Sequence, residues 1–199
     1  QYALLEPPDG GQSWPSEIWL RDEVIEDLNS AERDLLRQTH LLLTRVELPV
    51  VASATSVTLP TNWLATAQMT WRTAGNSRIP LPPIDVPEVD LGLPTWRTVP
   101  GTPMGYLDSD QESRTVRLAP VPDANGTVEV LYVAVPTAVN GNGRSFTVPD
   151  DYINGVKYGA LGSLLRKVGR LQDPARAQYC EQRAELAVVA AEMILGGWS

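Results

Sequence analysis

Residues 114–133 read RTVRLAPVPDANGTVEVLYV, and this stretch decides the fold class. Apolar and polar residues alternate in 114–118 and again in 127–133, which is typical of half-exposed antiparallel strands. The connection between them contains two prolines and ends in an Asn-Gly pair, which favours a hairpin turn. The stretch therefore predicts a β-hairpin and, around it, an antiparallel sheet in the middle of the chain.

The region on either side of this hairpin is rich in proline. Thirteen of the 17 prolines fall between Pro49 and Pro149, a density that long helices do not tolerate. We therefore predict a small antiparallel β-module over residues 39–149. Residues 79–103 alone hold seven prolines, and we expect a stiff loop or an edge excursion there, outside the core. Short apolar runs predict strands at 44–51, 56–59, 67–72, 105–107, 114–118 and 127–135.

Helical periodicity precedes the β-module in residues 13–38. Trp14, Ile18 and Ile25 are spaced by three to four residues or by multiples of that spacing, as on one face of an amphipathic helix. Asn29-Ser30 interrupts the pattern, and Ser30 suits the N-cap of a second, short helix. We expect a kinked helix pair or a helical hairpin.

Helical periodicity returns in residues 150–195. Asp173-Pro174 combines a preferred N-cap residue with proline at the first helical position, so it predicts the start of a final helix. The alanines of that helix permit close helix–helix approach, within a bundle or between subunits. The fold class predicted is α+β, in which N- and C-terminal helices pack as a bundle around an inserted small antiparallel β-module with a Pro-rich excursion. The predicted domains are an N-terminal extension (1–12), a helical part (13–38), the β-module (39–149, with the Pro-rich loop 79–103) and C-terminal helices with a docking tail (150–199).

Several enzyme classes are disfavoured because the chain has 199 residues with one His and one Cys. A single Cys180 excludes an intramolecular disulfide and a Cys-rich zinc site. Because His40 is the single histidine, catalytic triads based on histidine and metal sites with several histidine ligands are disfavoured. We interpret both residues as structural, and we predict no catalytic residues, no metal and no cofactor.

The formal net charge of −8 argues against binding of nucleic acid through cation–phosphate attraction. Residues 1–47 contain ten acidic and four basic side chains, whereas residues 150–199 contain six of each. The N-terminal acids are either a solvated helix face or a functional negative surface. These acids are Glu17, Asp22, Glu23, Glu26 and Asp27.

Four of the tryptophans can be interpreted either as structural residues or as contact residues for a ligand or a partner. Trp63, Trp71 and Trp96 either pack in the core of the β-module or form an aromatic platform for a ligand. Trp198 follows Gly196-Gly197 and either anchors in a pocket of a partner or docks on its own subunit.

Membrane association is not expected, since no apolar run approaches the ~20 residues needed to cross a bilayer. The first residues show neither a basic segment nor an apolar segment of a signal peptide. We expect a soluble protein made in the cytoplasm.

The order of the sequence elements resembles the head-to-tail adaptor (connector or neck) proteins of tailed bacteriophages. Each motif is short, but the motifs follow one another in the family's order over about residues 14–195. They are EIWL (17–20) with EDLN (26–29), VTLPTNWL (57–64), GTPMGY (101–106), VRLAPVP (116–122), VEVLYVAVP (128–136), and FTVPDDY (146–152) followed by YGAL (158–161).

The resemblance implies a structural virion protein at the head–tail junction that is not an enzyme. Such adaptors form a homo-oligomeric ring, typically a dodecamer, below the portal protein; the ring extends the DNA channel and joins a tail or nozzle protein. DNA passes through without sequence-specific binding, and no membrane is involved. By the same resemblance, we predict three sets of residues: for portal docking Ile194, Leu195 and Trp198; for subunit or tail contact Pro82, Pro83, Pro87 and Trp96; and for the channel wall Asp22, Glu23, Glu26 and Asp27.

A different class of function remains as an alternative. The chain is then a carbohydrate- or receptor-binding module of a virion that uses exposed tryptophans of the β-module. That hypothesis requires Trp63, Trp71 and Trp96 to form an exposed cluster.

Overall fold

The computed structural model describes residues 19–110, 114–140, 145–168 and 172–196. The chain divides into two compact units: a helical unit (1–41 and 136–199) and a β unit (42–135). Helices at both ends and two antiparallel sheets confirm the predicted α+β class, while the predicted domain limits stay a prediction. The elements are α1 (Arg21–Thr39), β1 (Leu43–Val50), β2 (Ser56–Thr58), β3 (Trp63–Thr73), β4 (Arg78–Pro80), α2 (Val86–Gly92), β5 (Gly105–Asp110), β6 (Thr115–Ala119), β7 (Gly126–Ala134), a short 3-10 helix (Asp150–Tyr152), α3 (Ile153–Arg166) and α4 (Pro174–Gly196).

Helix α1 is continuous, so the prediction of a break at Asn29-Ser30 was wrong. The Asn29 side chain does not terminate the helix, because its amide group donates to Val139 O (3.0 Å) and its carbonyl oxygen accepts from Val139 N (2.7 Å). Helix α1 begins at Arg21, since Leu20 is extended and its N–H donates to Glu23 Oε2 (3.4 Å). Ser13, Trp14 and Ile18 of the predicted helix lie outside the described residues.

In the helical unit, α3 packs between α1 and α4 through small residues. A Cβ at Gly155 would lie 2.8 Å from the Cβ of Ala187, and one at Gly159 would lie 3.2 Å from the Cβ of Ala31. The alanines of α4 therefore serve contacts within the bundle. Asp173 caps α4 as predicted, because its Oδ1 accepts from the backbone N–H of Arg176 (3.0 Å). Helices distant in the chain thus pack together, as predicted.

The β unit is built from two antiparallel sheets with a shared core. Sheet A has the strand order β1-β7-β3-β4 and sheet B the order β2-β6-β5. Their facing side chains form one apolar cluster that excludes water from the interior of the unit. Its fully buried members include Met69, Leu118, Val128 and Val130.

The predicted hairpin between residues 114–118 and 127–133 is not formed. Both segments are strands, but β6 pairs with β2 and β5 in sheet B, whereas β7 pairs with β1 and β3 in sheet A. Pro120 and Pro122 in the connection lack the N–H groups that a continued ladder needs. The connection bonds elsewhere: Pro122 O accepts from Ser53 N (2.8 Å) and Val121 O from Gly101 N (2.8 Å).

The Pro-rich segment 79–103 begins in β4 at the edge of sheet A, but it is not an irregular loop that stays outside the core. It contains β4 and α2, and Leu81 is buried in the core between the sheets. Val89 and Trp96 pack on Leu107 and Ala119 in a second cluster on the other face of sheet B. Prolines are compatible with this compact structure because the segment forms few regular ladder bonds.

Gly126 at the start of β7 provides a test of the sandwich core. A Cβ at this position would lie 2.3 Å from Cζ2 of Trp71 and 2.9 Å from the carbonyl oxygen of Arg72. We expect Gly126→Ala to lower the free energy of unfolding by about 2 kcal/mol, as over-packing does. Urea unfolding measures it, and Gly92→Ala is the matched control because a Cβ there has no atom within 4 Å. Equal stability of the two variants would refute the described packing.

Candidate docking surfaces

Three arginines surround a buried glutamate on the outer face of sheet A, and we call this group the arginine ladder: Arg45, Arg72, Arg78 and Glu129. Glu129 receives Arg45 (2.5 Å), Arg72 (3.3 Å) and Arg78 (3.5 Å) on its carboxylate. These residues point away from the core, because the alternate positions of their strands pack between the two sheets. The ladder thus presents guanidinium groups on the outer face of sheet A, and the side chains of Arg45 and Arg78 are more than half exposed.

Glu47 lies directly opposite Glu129 in the β1–β7 register. Two carboxylates in such a pair repel each other, but Arg72 contacts Glu47 at 2.5 Å and Arg45 contacts it at 3.9 Å. Each of these arginines therefore bridges both glutamates. The ladder was not predicted from the sequence, in which the only local signal was the opposite charge of Arg45 and Glu47 on alternate positions of one strand.

An acidic groove of about 280 Å³ lies in the helical unit, between α1 and α4 and above α3. Gly155 and Gly159 line its floor. Four carboxylates line its walls, two of which are already paired: Asp27 with Lys167 at 2.6 Å and Glu181 with Arg166. Asp34 and Glu185 form no ion pair within the part of the chain that the structure describes. The groove therefore retains two carboxylates without a counter-charge there.

The C-terminal half of α4 exposes an apolar face, which we call the α4 face: Leu186, Val189, Met193 and Ile194. The spacing of Leu186, Val189 and Met193 places them on one side of the helix. Ile194, predicted for docking, is exposed beside Met193, about 100° further around the helix. Leu195 lies within α4, but its side chain is outside the described residues, as are residues 197–199 with Trp198.

The four predicted channel-facing acids of α1 divide into two pairs. Asp22 and Glu26 are exposed. Glu23 and Asp27 instead hold the Lys167 ammonium at 2.9 and 2.6 Å. Partial burial lowers the pKa of Lys167, but hydrogen bonds to Asp27 and Glu23 outweigh it and hold that pKa above its usual value. Asp22 and Glu26 are therefore the acids whose charge is not balanced by this lysine.

The predicted contact residues of the Pro-rich segment differ in accessibility. Pro82, Pro83 and Pro87 are exposed. Trp96 is buried, with 4 % of its surface accessible, and its Nε1 donates to Asp90 Oδ1 (2.7 Å). That hydrogen bond lowers the pKa of Asp90. Trp96 therefore holds the segment on sheet B and does not itself present a surface.

The alternative function required an exposed cluster of tryptophans in the β unit, and this expectation was wrong. Trp71 is 2 % exposed in the core, and Trp96 is buried in the second cluster. Trp63 packs partly against the core, and its Nε1 donates to Thr66 Oγ1 (3.0 Å). The three side chains therefore do not form an exposed cluster.

The surroundings of the single histidine, His40, and the single cysteine, Cys180, do not favour a catalytic role. His40 ends α1 in a left-handed conformation (φ 51°), and its backbone N–H donates to Leu36 O (3.0 Å). Cys180 packs with Leu165 and Ala177, and burial, followed by the charge of Glu181, raises the pKa of its thiol. A raised thiol pKa disfavours the nucleophilic thiolate. Among the described residues, no group of three His, Cys, Asp or Glu side chains is arranged to hold a metal ion.

Comparison with known protein families identifies the family of the chain. The family model described as SU10 adaptor protein matches residues 4–193. The chain belongs to the SU10 adaptor protein family. The predicted membership of a phage head-to-tail adaptor family is thereby confirmed. Among curated proteins, no match to the chain was found.

For a member of the SU10 adaptor family, the arginine ladder, the acidic groove and the α4 face are candidate contact surfaces. An adaptor works by binding other proteins, so exposed charged or apolar surfaces are where function is expected. No described helix of this adaptor is both long enough and apolar enough to span a membrane.

Proposed function

We propose that this adaptor forms a homo-oligomeric ring, with twelve copies as in the family resemblance, below the portal protein of its phage. The ring extends the DNA channel and joins a tail or nozzle protein, so the role is structural and not catalytic, and the protein resides in the virion neck. The observation that carries the proposal is the family match over residues 4–193, nearly the whole chain.

The α4 face supports a docking role for the C-terminal end of the chain. Met193 and Ile194 are exposed by 73 % and 57 %, and burying such side chains against a partner contributes about 1.5–3 kcal/mol each. We assign portal docking to this face, together with Leu195 and Trp198. The expected partner surface is an apolar site on the portal protein.

A paired substitution tests this assignment. We expect Met193→Asp with Ile194→Asp to weaken binding to the portal protein at least tenfold, since two charges then enter an apolar contact. Gln178→Asp with Gln182→Asp is the matched control, because it adds the same two charges at exposed positions of the same helix. The dissociation constants are measured by surface plasmon resonance on immobilised portal protein. Unchanged binding of the double variant would contradict the assignment.

The negative wall of the channel is proposed at the start of α1. Asp22 and Glu26 carry it, with Glu23 and Asp27 weakened by the nearby Lys167. Like charge disfavours adhesion to phosphates and allows DNA to slide.

The Pro-rich segment is proposed as the contact to a neighbouring subunit or to the tail protein. Pro82, Pro83 and Pro87 provide exposed, stiff surface there, and Trp96 fixes the segment to sheet B. A stiff surface loses little conformational entropy when a partner binds.

Native mass measurement tests the proposed function. The purified protein is measured alone and after mixing with the portal protein of the same phage. We expect a portal complex that carries several copies of the adaptor, whether or not the adaptor forms rings alone. A protein that stays monomeric and does not bind the portal protein would overturn the proposal.

A further inference from the structure

We propose that the arginine ladder of one copy contacts the acidic groove of the next copy, so that the β unit of each chain binds the helical unit of its neighbour. This inference rests on the proposed ring of identical chains and adds to it which surfaces meet. Each surface alone is only a charged patch. Because one chain carries both a basic and an acidic surface, the basic surface of one copy can bind the acidic surface of another.

The ladder lies on the sheet face that the β unit leaves open. The opposite outer face, on sheet B, is covered by Val89 and Trp96. On sheet A the side chains of Arg45 and Arg78 are 51 % and 57 % exposed, although both contact Glu129. Open guanidinium groups held in place by a buried carboxylate lose little freedom when they bind a partner.

The charge of the ladder is opposite to that of the chain as a whole. Three arginines face two glutamates there, Glu47 and Glu129, while the chain carries a net charge of −8. Arginine is favoured at protein interfaces, since its planar guanidinium binds carboxylates with two hydrogen bonds. The ladder therefore fits an acidic protein surface.

The helical unit of a second copy provides such a surface. Asp34 and Glu185 face the acidic groove from α1 and α4 without an ion-pair partner among the described residues. A guanidinium entering the groove from a neighbour supplies that counter-charge. Because the ladder and the groove are different surfaces, the contact is head-to-tail, and such contacts close into rings when the rotation permits.

Charge reversal on each side, followed by mixing, tests the contact. Arg78→Glu reverses the ladder, while Arg45 and Arg72 still hold Glu129. Asp34→Arg with Glu185→Arg reverses the groove. We expect each variant alone to assemble on the portal protein at least tenfold more weakly than wild type. An equimolar mixture of the two restores assembly, because each contact then joins opposite charges.

Arg117→Glu is the matched control, since Arg117 is exposed on sheet B and the substitution changes the charge equally; we expect its assembly to stay within twofold of wild type. Thermal unfolding of each variant checks that it folds, and two misfolded chains do not restore each other. Unchanged assembly of Arg78→Glu, equal loss in the control, or loss without restoration in the mixture overturns the inference. A wild-type protein that never assembles on the portal protein refutes the proposed function instead.

Discussion

Glu129→Ala is expected to lower the free energy of unfolding by about 2–3 kcal/mol, because it removes the carboxylate that accepts charge-assisted contacts from three arginines. The Glu129 side chain is 8 % exposed and receives Arg45, Arg72 and Arg78. Without it, three guanidinium groups repel one another across adjacent strands. Chemical denaturation followed by circular dichroism measures the change.

Glu47→Ala is the control for this prediction. Glu47 also contacts Arg72 and Arg45, but its side chain is 47 % exposed, and exposed ion pairs contribute at most about 1 kcal/mol. Its removal also relieves the repulsion with Glu129 opposite. If both variants lose the same stability, the ladder does not depend on a buried carboxylate.

Glu32→Ala is expected to cost about 3 kcal/mol, because it leaves two backbone N–H groups of the helical unit without their acceptor. Oε1 of the fully buried Glu32 accepts from Thr147 N (2.6 Å) and Val148 N (3.1 Å). These bonds hold the chain to α1 just before the 3-10 helix that leads into α3. Urea unfolding with a helical circular-dichroism signal measures the loss.

Glu32→Gln distinguishes the acceptor role from the charge. The amide retains a carbonyl oxygen for both N–H groups, so we expect it to lose at most about 1 kcal/mol, less than the full penalty for unsatisfied buried donors. Asp34→Ala, an exposed position of the same helix, is expected to change stability by less than about 0.5 kcal/mol. A Glu32→Ala variant as stable as Asp34→Ala would contradict the described hydrogen bonds.

Local signals predicted the elements more successfully than their partners. The alternation in 114–118 and 127–133 identified two strands, because the two-residue period of a strand is visible in the local sequence. Which strands pair depends on segments far along the chain, and the two prolines and the Asn-Gly pair in residues 120–126 predicted a hairpin that does not form. Asp173-Pro174 succeeded since a helix cap is a local interaction.

Long-range hydrogen bonds account for the errors in the helical part. Asn29 looked like a helix breaker because its side chain competes with the backbone in isolated sequence. In the fold it bonds Val139, 110 residues away. A partner so distant in the sequence cannot be predicted from a local pattern. The hydrogen bond between Glu32 and Thr147 could not be predicted for the same reason.

The candidate surfaces also depend on contacts between distant segments that local sequence does not reveal. The exposure of Ile194 does not follow from its spacing alone, since Ala191, three residues earlier on the same side of the helix, is buried. The arginine ladder joins residues from β1, β3, β4 and β7, so it exists only once the sheet has formed. Family membership was nevertheless predictable, because the order of short motifs is preserved along the chain without knowledge of their contacts.

Electron cryo-microscopy of the adaptor mixed with the portal protein of its phage tests the proposed ring by direct observation. We expect a closed ring of identical chains below the portal, with the α4 face against the portal protein and a continuous DNA channel. Portal particles without a bound ring, or chains attached singly without contact to one another, would contradict this expectation.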